Sequence, residues 1–204
     1  MNAKSVSITV LVAAVTLGLV GCTPAPTVLP DVVVEHEGSA ELDSNETVVA
    51  LRAAQLAQEM AWNAGDFTIS PLIESTTVDG IDDLYRHYFS FTFRDYEPEV
   101  YVRPLIWAPI SVEPTDEGVE LTVCLPDQDR TITKSSPETS YDLESGRLST
   151  FFIDVDDAGR VELDHVNGTQ DECDASAAEV VTFDPIPTLP EKISEGDIRK
   201  PAGE

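Results

Sequence analysis

The side chains best suited to acid–base or binding chemistry are a histidine and several aromatic residues. His165 follows Val161 and Leu163 in an alternating stretch, so a strand there places all three on one apolar face. A titratable group beside apolar side chains is a candidate for proton transfer or ligand binding. The structural alternative is a hydrogen-bonded histidine near a strand end. The residues predicted to line a pocket are Tyr85, Tyr88, Trp107 and His165.

An acidic run from Asp154 to Gly159 has the composition of a calcium-binding loop. An EF-hand loop needs an oxygen ligand at its fifth position and a glutamate at its twelfth. Here these positions are Ala158 and His165. We therefore predict a hairpin turn, and we assign the chain no metal, no cofactor and no catalytic residue.

The N-terminal residues carry the most specific motif. Lys4 precedes an apolar stretch from Ile8 to Val20, which is too short to span a bilayer but has the length of a signal-peptide core. It ends in Leu19-Val20-Gly21-Cys22, which resembles the lipobox of bacterial lipoproteins. The resemblance implies a signal peptide over residues 1–21, acylation of Cys22 and attachment to the outer face of the cell membrane. A secretory signal with an incidental cysteine is the alternative.

The other two cysteines gain a role from this assignment. If Cys22 carries lipid, Cys124 and Cys173 remain as a pair in an oxidising compartment, where disulfides persist. A bridge across their separation of 49 residues stabilises a fold by about 4 kcal/mol on the chain-entropy account. A redox or metal role is the alternative, but no Cys-x-x-Cys motif and no histidine at ligand spacing supports it.

Residues 22–44 are proline-rich and acidic, which predicts an extended tether; the alternative is an edge strand over Asp31–Val34. A helix is then predicted from a cap at Asp43 or Ser44 to Gly65. Its predicted buried stripe comprises Val49, Ala53, Leu56 and Met60. The polar residues that fall off this stripe are Arg52, Gln55 and Glu59.

Two shorter helices and a series of strands are predicted to follow. The helices begin at Ser70-Pro71 and at Gly80 and end near Thr76 and Ser90. From Glu99 onward the apolar residues alternate and prolines recur, which indicates strands and turns. The predicted strands are an interrupted Tyr101–Val112, Val119–Leu125, Arg130–Lys134, and a hairpin of Leu148–Val155 with Arg160–Val166. Residues 175–204 are predicted to be a disordered tail, in which Val180–Phe183 is the one candidate strand.

Two short motifs resemble the NTF2-like superfamily, which includes SnoaL-like domains. Ala61-Trp62-Asn63-Ala64-Gly65-Asp66 resembles the end of its first helix, where the tryptophan packs inside. Gly80-Ile81-Asp82-Asp83-Leu84, with Tyr88-Phe89, resembles its third helix. The resemblance implies an α+β fold over residues 45–174, an NTF2-like cone of N-terminal helices packed on a curved antiparallel sheet. The chain also resembles small acidic lipoproteins of unknown function from high-GC Gram-positive bacteria.

Composition excludes some functions and leaves others open. Twelve basic against 38 acidic residues give a net charge of -26, which argues against nucleic-acid binding and disfavours electrostatic docking on anionic lipid. The apolar fraction of 42% is too high for a wholly disordered chain. The leading hypothesis is a lipid-anchored, non-enzymatic module that binds a small ligand or an envelope protein. The alternatives are a proton-transfer enzyme of the isomerase or dehydratase type, and a structural or partner-recruiting lipoprotein.

Overall fold

The structure is a computed structural model that describes residues 26–94, 96–116, 118–191 and 193–201. The predicted leader peptide and Cys22 lie outside the described residues. The chain is α+β, with helices before most of the strands and antiparallel pairing between the strands of each sheet, so the predicted class is confirmed. The elements are β1 (Asp31–His36), α1 (Glu46–Ala64), α2 (Ser70–Ser75), α3 (Val78–Thr92), β2 (Glu99–Tyr101), β3 (Ala108–Pro114), β4 (Val119–Asp129), β5 (Thr131–Thr133), β6 (Ser140–Val155), β7 (Val161–Cys173) and β8 (Val180–Asp184).

The strands form one central sheet and two ribbons. The central sheet has the order β3-β4-β6-β7, and the ribbons are β2–β5 and β1–β8. The backbone at Val102 links the ribbons, because its N–H donates to the carbonyl of Arg130 and its own carbonyl accepts from Phe183. These bonds place β8, and with it the paired strand β1, beside the β2–β5 ribbon.

Local capping explains where the long helices begin and end. The Asn45 side chain accepts hydrogen bonds from the N–H groups of Thr47 and Val48 at the start of α1. Gly65 ends α1 in the left-handed region at φ 60°, which a glycine adopts without a Cβ penalty. Thr77 caps α3 through Gly80 N–H. The predicted stop at Gly65 is confirmed, whereas the cap at the start of α1 lies one residue beyond Ser44.

The buried face of α1 differs from the predicted stripe. Val49 is 53% exposed, Ala53 is exposed and Leu56 is half-buried, so of the four predicted residues only Met60 is buried. The residues that α1 buries are Val48, Leu51, Ala54, Gln55, Ala57, Glu59, Met60, Ala61 and Trp62. The prediction was wrong in phase, because α1 packs on several elements at once and buries a wider arc than one stripe.

Both terminal segments are more ordered than the sequence predicts. Residues 31–36, assigned to the tether, form β1 and pair antiparallel with β8, so the alternative of an edge strand is correct. Within the predicted disordered tail, Val180 and Phe183 are fully buried and Ile198 is 7% exposed. The candidate strand Val180–Phe183 is therefore confirmed as part of β8, whereas the prediction of disorder is wrong for Ile198, because this residue packs into the apolar cluster between the helices.

The β6–β7 hairpin turns at Gly159, whose φ is 77°. Asp156 accepts hydrogen bonds there from the N–H groups of Ala158 and Arg160. The acidic run thus spans a turn, as predicted. At the far end of the hairpin the Sγ atoms of Cys124 and Cys173 lie 2.02 Å apart, in a disulfide that ties β4 to β7.

Candidate functional site

A largely apolar cavity of about 250 Å³ lies between α1, the β1–β8 ribbon and the segment Pro104–Ile106. Val32 and Val181 line it from the two strands, and Leu56 lines it from α1. Pockets for small molecules are typically apolar with a few placed polar groups. This cavity is slightly smaller than the usual range of about 300–1,000 Å³, so it suits a small ligand.

The polar side chain Gln55 lines the cavity and is 6% exposed. Trp107 Nε1 donates to Gln55 Oε1 at 2.9 Å. Because an indole N–H can only donate, this bond fixes the amide with its oxygen toward Trp107. The Gln55 Nε2 atom is buried and has no hydrogen-bond partner among the described residues. A buried donor without an acceptor is unfavourable, and an acceptor that reaches Nε2 would form a hydrogen bond with a net worth of about 0.5–1.5 kcal/mol.

The charged residues that line the cavity are Arg52 and Glu179, and a second carboxylate, that of Asp43, pairs with Arg52. Arg52 Nη2 donates to Asp43 Oδ1 at 2.8 Å, and the guanidinium lies 4.8 Å from the ring centroid of Trp107. Since Asp43 already neutralises Arg52, the cavity disfavours an anionic ligand.

One turn further along α1, Glu59 forms an ion pair with Arg130 at 2.5 Å. Burial raises the pKa of Glu59 to about 8, and the attraction of Arg130 opposes this only in part. Arg130 also lies over the ring of Tyr101, 5.1 Å from its centroid. Burial raises the pKa of Tyr101 to about 12. Glu59 does not line the cavity, so its carboxyl does not contact the space where a ligand would bind.

The four residues predicted to line a pocket lie in three places. Tyr85 and Tyr88 belong to an apolar cluster with Phe67 between the helices. Trp107 lies in a second cluster, against Phe151. Only Trp107 is near the cavity, and it acts there through its bond to Gln55.

His165 lies on the opposite face from the one predicted. Ile153 pairs with Leu163, but the next residue back, Phe152, pairs with His165. This bulge inserts one extra residue into β7 and so reverses the side of the sheet that follows. The ring of His165 is stacked on Phe152 at 4.0 Å between centroids, and its side chain is 49% exposed. The prediction that His165 shares the face of Val161 and Leu163 is therefore wrong.

The polar residues that matter most, Gln55 and Glu59, were assigned to the unburied side of α1. A signal for them was present in the sequence. Trp62, expected to pack inside, lies three residues after Glu59 and seven after Gln55, so a helix places all three on one face. Apolar periodicity alone gave the wrong phase because the buried stripe contains these polar residues.

No known protein family, curated protein or solved structure matches the chain. Within the described ranges, no helix is both long enough and apolar enough to cross a membrane. The same residues contain no group of three or more His, Cys, Asp or Glu side chains placed to hold a metal ion.

Proposed function

We propose that the protein is a lipid-anchored, extracytoplasmic module that binds a small, neutral and largely apolar ligand in the cavity beside α1. The observation that carries this proposal is a largely apolar cavity lined by Gln55, a buried side chain whose amide nitrogen has no hydrogen-bond partner among the described residues. The ligand then supplies apolar surface for Leu56 and Val181, and a carbonyl, ether or hydroxyl oxygen for Gln55.

The anchor is the second part of the proposal. It is supported by the lipobox-like residues 19–22. In cells that make the protein, we expect it to partition into the detergent phase, and we expect Cys22→Ser to move it to the aqueous phase. Recovery of the N-terminal peptide with an unmodified Cys22 thiol would contradict the anchor.

The fold itself is proposed to be an NTF2-like cone. Three N-terminal helices precede an antiparallel sheet, and Trp62 is buried as that resemblance implies. The cavity would then lie at the edge of the cone, between the first helix and the added β1–β8 ribbon. An experimental structure in which the central sheet did not curve around α1 would contradict this assignment.

The ligand-binding proposal can be tested with cyclohexanone, a small apolar ring with one carbonyl acceptor. We expect saturable NMR shifts at the side-chain amide of Gln55 and the backbone amides of Leu56 and Val181. Methylcyclohexane, which lacks the acceptor, should bind about two- to tenfold more weakly, the worth of one hydrogen bond. The proposal fails if neither probe shifts these signals.

A pair of substitutions on α1 provides the control. Ala53 lines the cavity, so Ala53→Phe should fill it and abolish the shifts caused by cyclohexanone. Val49 points away from the core, so Val49→Phe adds the same ring without touching the cavity and should leave binding unchanged. Equal binding by both variants would place the probe elsewhere.

The alternative of a proton-transfer enzyme receives less support. Glu59 has the raised pKa that a catalytic acid needs. Its Oε1 atom, however, accepts from Arg130, and the carboxyl does not line the cavity. A group that cannot reach the ligand cannot move its proton, so we place binding first.

A further inference from the structure

A groove of about 440 Å³ runs along the C-terminal half of α3 and the end of the chain. None of the described residues that line it is acidic, although the chain as a whole carries a net charge of -26. Its aromatic wall consists of Tyr85, Phe89 and Phe93. Its cations are Arg86, Arg94 and Lys200, three of the chain's twelve basic residues.

The exposed side chains of this groove are of the kind found at membrane interfaces. Phe93 is 42% exposed, and Arg94 and Lys200 are exposed as well. Arg86 is paired with Asp83, whereas none of the ion pairs between described residues involves Arg94 or Lys200. An aromatic ring beside cations that form no ion pair with a described carboxylate fits a surface that is apolar below and anionic above.

The groove also lies close to the point where the chain leaves for the proposed anchor. Arg199 Nη1 donates to Thr27 Oγ1 at 3.1 Å, and Lys200 is the next residue. Only five peptide units separate Thr27 from Cys22, a span of at most about 18 Å when fully extended. The anchor is part of the proposed function, and this step rests on it. A domain held so closely must present the surface around Thr27 to the bilayer.

We propose that this groove binds the headgroup of an anionic phospholipid. The ammonium of Lys200 and the guanidinium of Arg94 contact the phosphate, and Phe89 and Phe93 lie at the level of the glycerol and upper acyl chains. Charges farther than about 8 Å away are largely screened at physiological salt. Arg94 and Lys200 therefore act on a headgroup in the groove more strongly than the distant carboxylates that make the whole chain acidic.

The test uses the chain from residue 22 onward, which keeps every described residue. The Cys22 thiol is coupled to a maleimide-bearing lipid, so the geometry of the anchor is reproduced chemically. The vesicles contain bromine-labelled phosphatidylcholine, with or without phosphatidylglycerol. Phe93→Trp reports contact through quenching by bromine, and Ile110→Trp, an exposed position on β3 outside the groove, is the control reporter.

Measured as the difference from the parent protein, which holds Trp62 and Trp107 alone, quenching should depend on phosphatidylglycerol at position 93 and be absent at position 110. In uncoupled Phe93→Trp protein, Arg94→Gln with Lys200→Gln should lower the partition constant for phosphatidylglycerol vesicles about 25-fold, since each cation near the surface contributes about fivefold. The matched variant, Lys134→Gln with Arg147→Gln, removes two exposed cations outside the groove and should have little effect. Equal unfolding midpoints confirm that both variants are folded.

Equal quenching at positions 93 and 110, or quenching that ignores phosphatidylglycerol, would overturn the proposal. The proposal would also be overturned if quenching did not depend on lipid and a soluble peptide rich in Glu and Phe bound through Arg94 and Lys200. The groove would then bind a protein partner. The coupling is chemical and the cavity beside α1 is not involved. Failure here is therefore distinct from failure of the natural anchor or of ligand binding.

Discussion

At the scale of the residue, Glu59 is a buried carboxyl on α1 whose charge is only partly compensated. Its carboxyl is 7% exposed and has one oxygen without a hydrogen-bond partner among the described residues. Arg130 compensates the charge only in part, so the pKa is raised from 4.5 to about 8. Removing a charge from water is costly unless pairing is complete, and the folded state therefore favours the protonated form.

The first prediction concerns the pH dependence of stability. Because the folded pKa of Glu59 lies above its ordinary value, the folded state binds more protons than the unfolded state between pH 4.5 and about 8. The free energy of unfolding should therefore fall as pH rises through this window. Glu59→Gln carries no ionisable group, so its stability should depend less steeply on pH than that of the parent.

Urea unfolding at several pH values measures this difference. Glu74→Gln, which removes an exposed carboxylate on α2, is the control and should keep the slope of the parent. If the slope of Glu59→Gln were as steep as that of the parent, Glu59 would not titrate in this range.

At the scale of elements, the central sheet depends on a close approach between β6 and β4. A Cβ built on Gly146 would lie 2.6 Å from the carbonyl oxygen of Leu125 and 2.9 Å from Cys124 Sγ. Gly146 pairs with Pro126 on one side and with Cys173 on the other. Next to the disulfide, β4 and β6 are thus too close together for a residue with a Cβ atom at position 146.

The second prediction follows from this contact. Gly146→Ala should lower the free energy of unfolding by about 1–3 kcal/mol, the usual cost of overpacking. Gly168→Ala on β7 is the matched control, since its Cβ would lie 3.6 Å from Ser149 Oγ, an ordinary contact. Equal urea midpoints for the two variants would show that β4 and β6 can separate at no cost.

Local signals predicted most elements but not how they face one another. Gly65 ended α1 and the alternation from Val119 marked β4, because caps and period-two patterns depend only on neighbours in sequence. The phase of α1 and the face of His165 were wrong, since a buried polar stripe and a bulge depend on partners far along the chain. The cavity was missed for the same reason, because the β1–β8 ribbon joins segments about 150 residues apart.

At the scale of the whole molecule, Asp66 joins the two ends of the described chain. Its carboxylate accepts hydrogen bonds from Thr27 Oγ1 and from Arg199 Nη1. The backbone adds two further bonds, from Phe67 N–H to the Arg199 carbonyl and from Arg199 N–H to the Gly65 carbonyl. One carboxylate therefore binds both the segment that leads to the proposed anchor and the segment that supplies Lys200.

This arrangement predicts how the ends respond to acid. Burial alone would raise the pKa of Asp66, but hydrogen bonds from Thr27 and Thr68 and the charge of Arg199 outweigh it, so the pKa is lowered from 3.8. The ionised form thus stabilises the folded state above the ordinary pKa, and that contribution is lost as pH falls through the folded pKa. The segments that contain Thr27 and Arg199 should therefore be held less stably against the domain as the pH falls.

Asp66→Asn should reproduce that loosening at neutral pH. Its amide oxygen can still accept a hydrogen bond, but it carries no charge for Arg199, so we expect residues 26–30 and 193–201 to exchange their amide hydrogens about tenfold faster. This corresponds to a loss of about 1.4 kcal/mol, close to the lower end of the range for a hydrogen bond to a charged group. Asp156→Asn, at the β6–β7 turn where Asp156 pairs with Arg160, is the control and should leave both segments protected. Unchanged exchange in Asp66→Asn would mean that the backbone bonds alone hold the ends, and the domain would then keep the same surface toward the bilayer without this carboxylate.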